Sequence, residues 1–331
     1  FSYIKSMSQM WENVYNKYLL FLLIFHTSIV LIFHNLNKAE ETWDSAGHIG
    51  MSYNIAEQFR RLISGQINFV DFLRTSDYYP PFIQSIGAII SLIFGYNSYY
   101  LLLLSLFFFL LSITSVYVVA KIISKNSRTA FFTALFFSLF PQVYEQSRVF
   151  QLDLPLVGLQ MITVYAYIKS NAFKSIKYSI IFGIFFSLGQ LTKWYNFIYL
   201  LIPILLDLIQ KRSAIQSNFR TILLNITNIS LITLIVAAPW YIANYSKILE
   251  YSRIFAEGEL DDPTSLLSIE TILYYPDRIL SHQIFILPSI LLIISIIYLF
   301  IKNRNNFAYA FLGILAPLII FTVIGNKNLS I

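Results

Sequence analysis

Residues 99–120 read YYLLLLSLFFFLLSITSVYVVA, 22 residues without a charge. As an α-helix rising 1.5 Å per residue, such a run covers about 33 Å, the depth of a bilayer's hydrocarbon core. Polar and apolar residues do not alternate in it, which excludes a strand of an outer-membrane barrel. Tyr18–Leu36, Ile222–Tyr241 and Ile284–Ile301 are built the same way. The rest of the 331-residue chain agrees: 57% of it is hydrophobic, 17% aromatic and only 12% charged, where a soluble domain carries about 25% charge. Its mean hydropathy is +0.65. The reading is an all-α polytopic membrane protein. With no cysteine, disulfides, zinc–thiolate sites and thiol nucleophiles are excluded. The net charge of +6 reads as loops on the cytoplasmic side and not as a nucleic-acid footprint.

Shorter apolar runs lie near 80–95, 129–141, 153–168, 178–191, 196–210 and 306–324. If every run crossed the membrane, Lys121, Lys125 and Arg128 would lie opposite Lys5 and Lys17. Treating 80–95 as a helix lying in the interface removes the conflict. That run is short, opens with Pro80-Pro81 and is interrupted by Gly87 and Gly95, all against a span. Lys169, Lys174, Lys177, Lys211, Arg212, Arg220, Lys302 and Arg304 then share the face of Lys5, which is cytoplasmic by the positive-inside rule. The expectation is one domain over 1–331 with about nine spans. A first outer loop, 37–98, carries the juxtamembrane helices, with an amphipathic stretch around Ile49–Ile63. An acidic outer loop covers 246–281. The sequons Asn225–Thr227 and Asn228–Ser230 fall inside an apolar run, out of reach of glycosylation. The chain opens on Phe and stops just beyond an apolar run, so it is expected to be a piece of a longer protein, with a C-terminal part missing.

Charges near a bilayer are costly, and this topology puts four polar clusters at one boundary, the extracytoplasmic one. The first, Glu40-Glu41-Thr42-Trp43-Asp44-Ser45-Ala46-Gly47-His48, follows the first span. Asp44 there suits a helix cap or a general base that takes the proton of an acceptor. His48 reads as an interfacial hydrogen-bonding residue; no second histidine stands at ligand spacing. The second is Asp77-Tyr78-Tyr79-Pro80-Pro81, a Pro-started helix with aromatics at headgroup level. In the third, Arg148 and Asp153 flank a short link, as an ion pair, as interfacial anchors, or with Arg148 as a guanidinium fork for a phosphate. The fourth, Leu191-Thr192-Lys193-Trp194-Tyr195-Asn196, holds a lone outer-face lysine. It either snorkels or neutralises a lipid-linked phosphate.

In order, Trp-Asp-x-x-Gly-His at 43–48, Tyr-Tyr-Pro-Pro at 78–81, Ser-Arg-x-x-x-x-Asp-x-Pro-Leu at 147–156 and Leu-Thr-Lys-Trp-Tyr-Asn at 191–196 resemble the GT-C membrane glycosyltransferases that use polyprenyl-phosphate sugars. The closest branch is the protein mannosyltransferase and lipid A aminoarabinose transferase group, and the resemblance runs from about Tyr18 to Phe197. It implies a GT-C-type helix bundle and an inverting transfer of a sugar to a lipid, glycan or protein acceptor at the outer face of the cell membrane. Asp44 matches the family's catalytic base. Relatives often carry Asp-Glu there, whereas this chain has Asp44-Ser45. Lys193 and Arg148 match positions that meet the donor phosphate, and His48, Tyr79, Asp153 and Tyr195 are substrate-site candidates.

The sugar arrives already activated on its lipid, so no cofactor is expected, in keeping with the lack of a Gly-rich nucleotide loop. Asp44, His48 and Asp153 would suit a divalent metal if they converged; none is expected. A transporter or flippase of a lipid-linked sugar is the alternative, and it calls for repeated halves or Gly/Pro-broken spans that the sequence does not show.

Overall fold

Each long apolar run of the sequence is helical in the computed structural model, which describes residues 2–37, 43–76, 78–257, 268–302 and 304–323. The acidic Glu40-Glu41, Asp77, the centre of the acidic loop and the stretch after Val323 lie outside the described residues. About 85% of the described residues are helical, and no strand occurs among them. Among the described residues, three helical stretches are long and apolar enough to cross a bilayer: Asn13–Leu36, Ser98–Ser124 and Phe219–Val236. The other apolar helices are shorter, as at Phe82–Phe94, the run read as interfacial. This is an integral membrane protein of the all-α class.

The chain divides into two compact units, 1–75 with 81–169, and 76–80 with 170–331. The first holds α1 (Ser2–Leu36), α2 (Trp43–Ile63), α3 (Phe69–Leu73), α4 (Phe82–Phe94), α5 (Ser98–Ser124), α6 (Ser127–Leu139), α7 (Pro141–Gln146) and α8 (Asp153–Ser170). Asn97 starts α5 by accepting the Tyr99 N–H at 3.0 Å. Lys125, in the left-handed region at φ 53°, ends it. Asn126 then caps α6 through the N–H groups of Arg128 and Thr129. These few residues make α5 and α6 a hairpin. Ala130 and Ala134 are fully buried one turn apart on α6, among Val30, Phe109 and Ile113 of α1 and α5. Small side chains there let the helix backbones approach closely.

The juxtamembrane pair α2 and α4 packs through Ile55, Ala56 and Ala88, with Met51, Phe72 and Leu92 around them. Its tightest point is Gly87, where a Cβ would stand 2.6 Å from Ser52 Oγ and 3.4 Å from Phe150 Cζ. Only hydrogen fits.

The second unit holds α9 (Ile176–Gln190), α10 (Asn196–Gln210), α11 (Arg212–Gln216), α12 (Phe219–Val236), α13 (Ala238–Ala243), α14 (Tyr245–Glu257), α15 (Ile269–Arg278), α16 (Ile286–Lys302) and α17 (Arg304–Val323), with a π-turn at Ile279–Gln283. The apolar run read as continuous over 221–243 is broken at Ala237. Pro239 opens α13, because its missing N–H is no loss in the first turn. The acidic loop expected over 246–281 carries helical turns of its own, α14 and α15. Asn225, the first sequon residue, is buried and donates to the Phe173 carbonyl at 2.7 Å. Its amide is committed to packing.

Gly87→Ala is expected to destabilise the protein by about 1–3 kcal/mol, the usual cost of overpacking. Ser52→Ala should recover part of that loss by removing the nearest atom. Thermal unfolding of the single and double variants in detergent checks both; equal Tm for Gly87→Ala and wild type would refute the close approach.

Candidate active site

In the first unit, the start of α2 and the link before α8 are tied together. Ser45 is buried, and its Oγ accepts the N–H of Phe150, 105 residues away, at 3.0 Å. Asp44 stands beside it in the first turn of α2, a place that favours a negative charge. The side chain is exposed, and among the described residues nothing hydrogen-bonds it. Trp43, before it, sits at φ 51° with its side chain 93% exposed. His48, one turn on, is buried, and its Nδ1 lies 3.2 Å from Gln84 Nε2. That agrees with its reading as a hydrogen-bonding residue. No group of three metal-ligating side chains occurs among the described residues.

Arg148 follows α7 closely. The turn closes through Ser147 N–H to Val143 O and Arg148 N–H to Glu145 O. The guanidinium lies over the rings of Phe33 and Tyr144, 4.7 Å from each centroid. It makes no ion pair with Asp153, which heads α8. His34, at the end of α1, is buried, within electrostatic reach of Arg148, and its Nε2 has no hydrogen-bond partner. Phe33, His34, Tyr144 and Gln84 carried no signal in the sequence, and Ser45 is marked only as standing where relatives often carry an acid. Aromatics and serines are abundant throughout the chain.

The second unit holds the other candidates. The turn between α9 and α10 is set by Thr192 and Lys193 N–H groups donating to Gly189 O, and by Asn196 N–H donating to Lys193 O. Lys193 is buried at 7% exposure, its ammonium 5.5 Å from the Tyr195 ring centroid. Gly189 matters here, since a Cβ would fall 2.6 Å from Asn196 Nδ2. Tyr195 also leans on Trp194 and Tyr199. Tyr79 packs on Tyr78, which stacks on Tyr251 of α14 with centroids 3.9 Å apart. Tyr78, Trp194, Ile248, Tyr251 and Ser252 line a small open cleft. Asp44, His48, Arg148 and Asp153 therefore belong to one unit, and Tyr79, Lys193 and Tyr195 to the other.

These features define an all-helical membrane protein whose cations lie over aromatic rings. Residues 79–242 match the family model described as dolichyl-phosphate-mannose-protein mannosyltransferase. The fold is similar to crystal structures of ArnT from Cupriavidus metallidurans. In the apo state the TM-score is 0.63 at 15% identity, covering 93% of this chain and 56% of that one. For ArnT bound to undecaprenyl phosphate it is 0.65 at 16%, covering 93% and 57%. No match was found among curated proteins. The family model covers just under half of the chain, and the likeness to ArnT shows a GT-C-type helical fold. The chain spans a little over half the length of the ArnT structures.

Ser45→Ala leaves the Phe150 N–H without its acceptor, at an expected cost of about 1–3 kcal/mol. Amide exchange should quicken around residues 147–152 and stay unchanged between α9 and α12. Equal exchange at 147–152 in variant and wild type would show that the bond is not what ties the two segments.

Proposed function

We propose that the protein transfers a sugar from a polyprenyl-phosphate donor to a lipid, glycan or protein acceptor at the extracytoplasmic face of the membrane. The observation that carries this reading is the pairing of an unengaged carboxylate, Asp44, with an arginine lacking a carboxylate partner, Arg148. They stand on two segments that the Ser45–Phe150 hydrogen bond ties together. The family match supports the reaction class, and the likeness to ArnT bound to undecaprenyl phosphate supports the kind of donor.

Asp44 takes the proton of the acceptor's hydroxyl or amine. The freed lone pair attacks the anomeric carbon from the face opposite the phosphate. The new bond forms as the C1–O bond breaks, so the anomeric configuration inverts. The polyprenyl phosphate leaves with the bonding pair and the added negative charge. Arg148 meets that charge with a planar, two-pronged donor set. Lys193 is the second cation assigned to the donor phosphate, and a fixed charge in a poorly hydrated setting stabilises a leaving group without reorganising. His48 and Asp153 help shape the acceptor side, and Tyr79 and Tyr195 offer ring faces to sugar or lipid.

Transfer of radiolabelled sugar from polyprenyl-phosphate donors, with full-length protein in proteoliposomes, tests the proposal. Asp44→Asn is expected to lower kcat by about 10²–10⁴-fold while binding of undecaprenyl phosphate stays as in wild type. Undiminished transfer would remove Asp44 as the base, and movement of donor across the bilayer without transfer would point to a flippase. Lys193→Ala is expected to weaken donor binding by about tenfold, the effect of losing one hydrogen bond to a charged group. Unchanged affinity would end its assignment to the phosphate.

A further inference from the structure

Phe33 lies one turn before the end of α1, which extends to Leu36. Tyr144 is in the first turn of α7, whose Pro141 start fixes where that turn begins. Because α7 stops at Gln146 and its backbone closes with Arg148 N–H on Glu145 O, Arg148 folds back onto the residue four positions earlier. Two segments far apart in sequence thus bring a ring each to one guanidinium, both at 4.7 Å.

A guanidinium has two kinds of surface. Its faces stack on aromatic rings, while its five N–H donors radiate in the plane. A carboxylate partner would take up the donors. Stacking uses the faces and spends none of them. Among the described residues no carboxylate pairs with Arg148, so its in-plane fork is left for a ligand. Arginine also loses much rotamer freedom when it is ordered on binding, and a site that orders it beforehand binds more tightly.

We infer that Phe33 and Tyr144 are positioning residues: their rings hold Arg148 by cation–π contact with its N–H fork turned to a phosphate. The inference rests on the reading of Arg148 as a donor-phosphate residue and adds what orients it.

The test titrates full-length protein in detergent with undecaprenyl phosphate. Phe33 is replaced in turn by mono-, di- and trifluorophenylalanine. These rings nearly keep their shape and lose the negative charge of their faces step by step. The Kd is expected to rise at each step, reaching about fivefold to tenfold at the trifluoro ring. Tyr144→Phe should stay within about twofold of wild type, and Tyr144→Leu should weaken binding by about fivefold. In an Arg148→Ala background the fluorine series is expected to be flat, because no cation is left to feel the ring.

A flat series in the wild-type background, with Arg148→Ala still weakening binding, overturns the positioning role and leaves Arg148 as a phosphate ligand. An equal slope with and without Arg148 means the rings act by packing, which also overturns it. If Arg148→Ala binds as wild type does, the reading of Arg148 fails, and the positioning role with it.

Discussion

Polar groups cannot be left unpaired in a hydrocarbon surround, and that constraint runs through the whole structure. The backbone answers it by being helical almost throughout. Side-chain hydroxyls answer it locally, by donating to the carbonyl one turn back: Thr27 to Leu23, Thr114 to Leu110, Thr163 to Leu159, Ser187 to Gly183. These residues fill buried and lipid-facing helix surfaces without asking for a distant partner. Serines that do reach across elements mark where helices are locked together. Ser112 donates to Leu154 O, and Ser45 accepts from Phe150 N–H. Glycine allows the same closeness by lacking a side chain, as at Gly183 against Ile229.

Charge is the second consequence. The chain has 23 basic residues and 17 acidic ones, and Arg60 pairs with Glu57 and Lys211 with Asp207, each about one turn away. Exposed pairs of that kind add little stability. Cations settle on rings instead. Arg60 lies over Tyr96, Lys121 over Tyr117, Arg128 over Phe132 and Arg278 over Tyr274. A ring face attracts a cation without bringing a second ion that must be desolvated. In a chain with 30 Phe and 23 Tyr such faces are always near. Arg148 and Lys193 follow the same habit, over Phe33 and Tyr144 and over Tyr195.

Much of this was legible in advance because charges are so few. Asp44, Arg148 and Lys193 stood out as polar residues on boundaries where apolar ones prevail, and the order of their motifs carried the family likeness. Phe33 and Tyr144 were not legible for the opposite reason. Each belongs to a type so common here that its position conveys nothing. The break of 221–243 at Ala237 was half visible in Pro239; apolarity alone hid it, since hydropathy does not register a helix that ends and restarts.

The sequence by itself determined the membrane class, the helical character of each apolar run and the identity of the outlying charges. All three depend on composition and on residues within a turn or two of each other. Tertiary structure alone decided that Ser45 takes the Phe150 N–H, that Arg148 lies on Phe33 and Tyr144 and not on Asp153, and that Lys193 is buried over Tyr195. Each is a choice among partners that compete at similar local cost. It is settled by which ring or N–H the fold brings within reach, about 6 Å for a cation over a ring face.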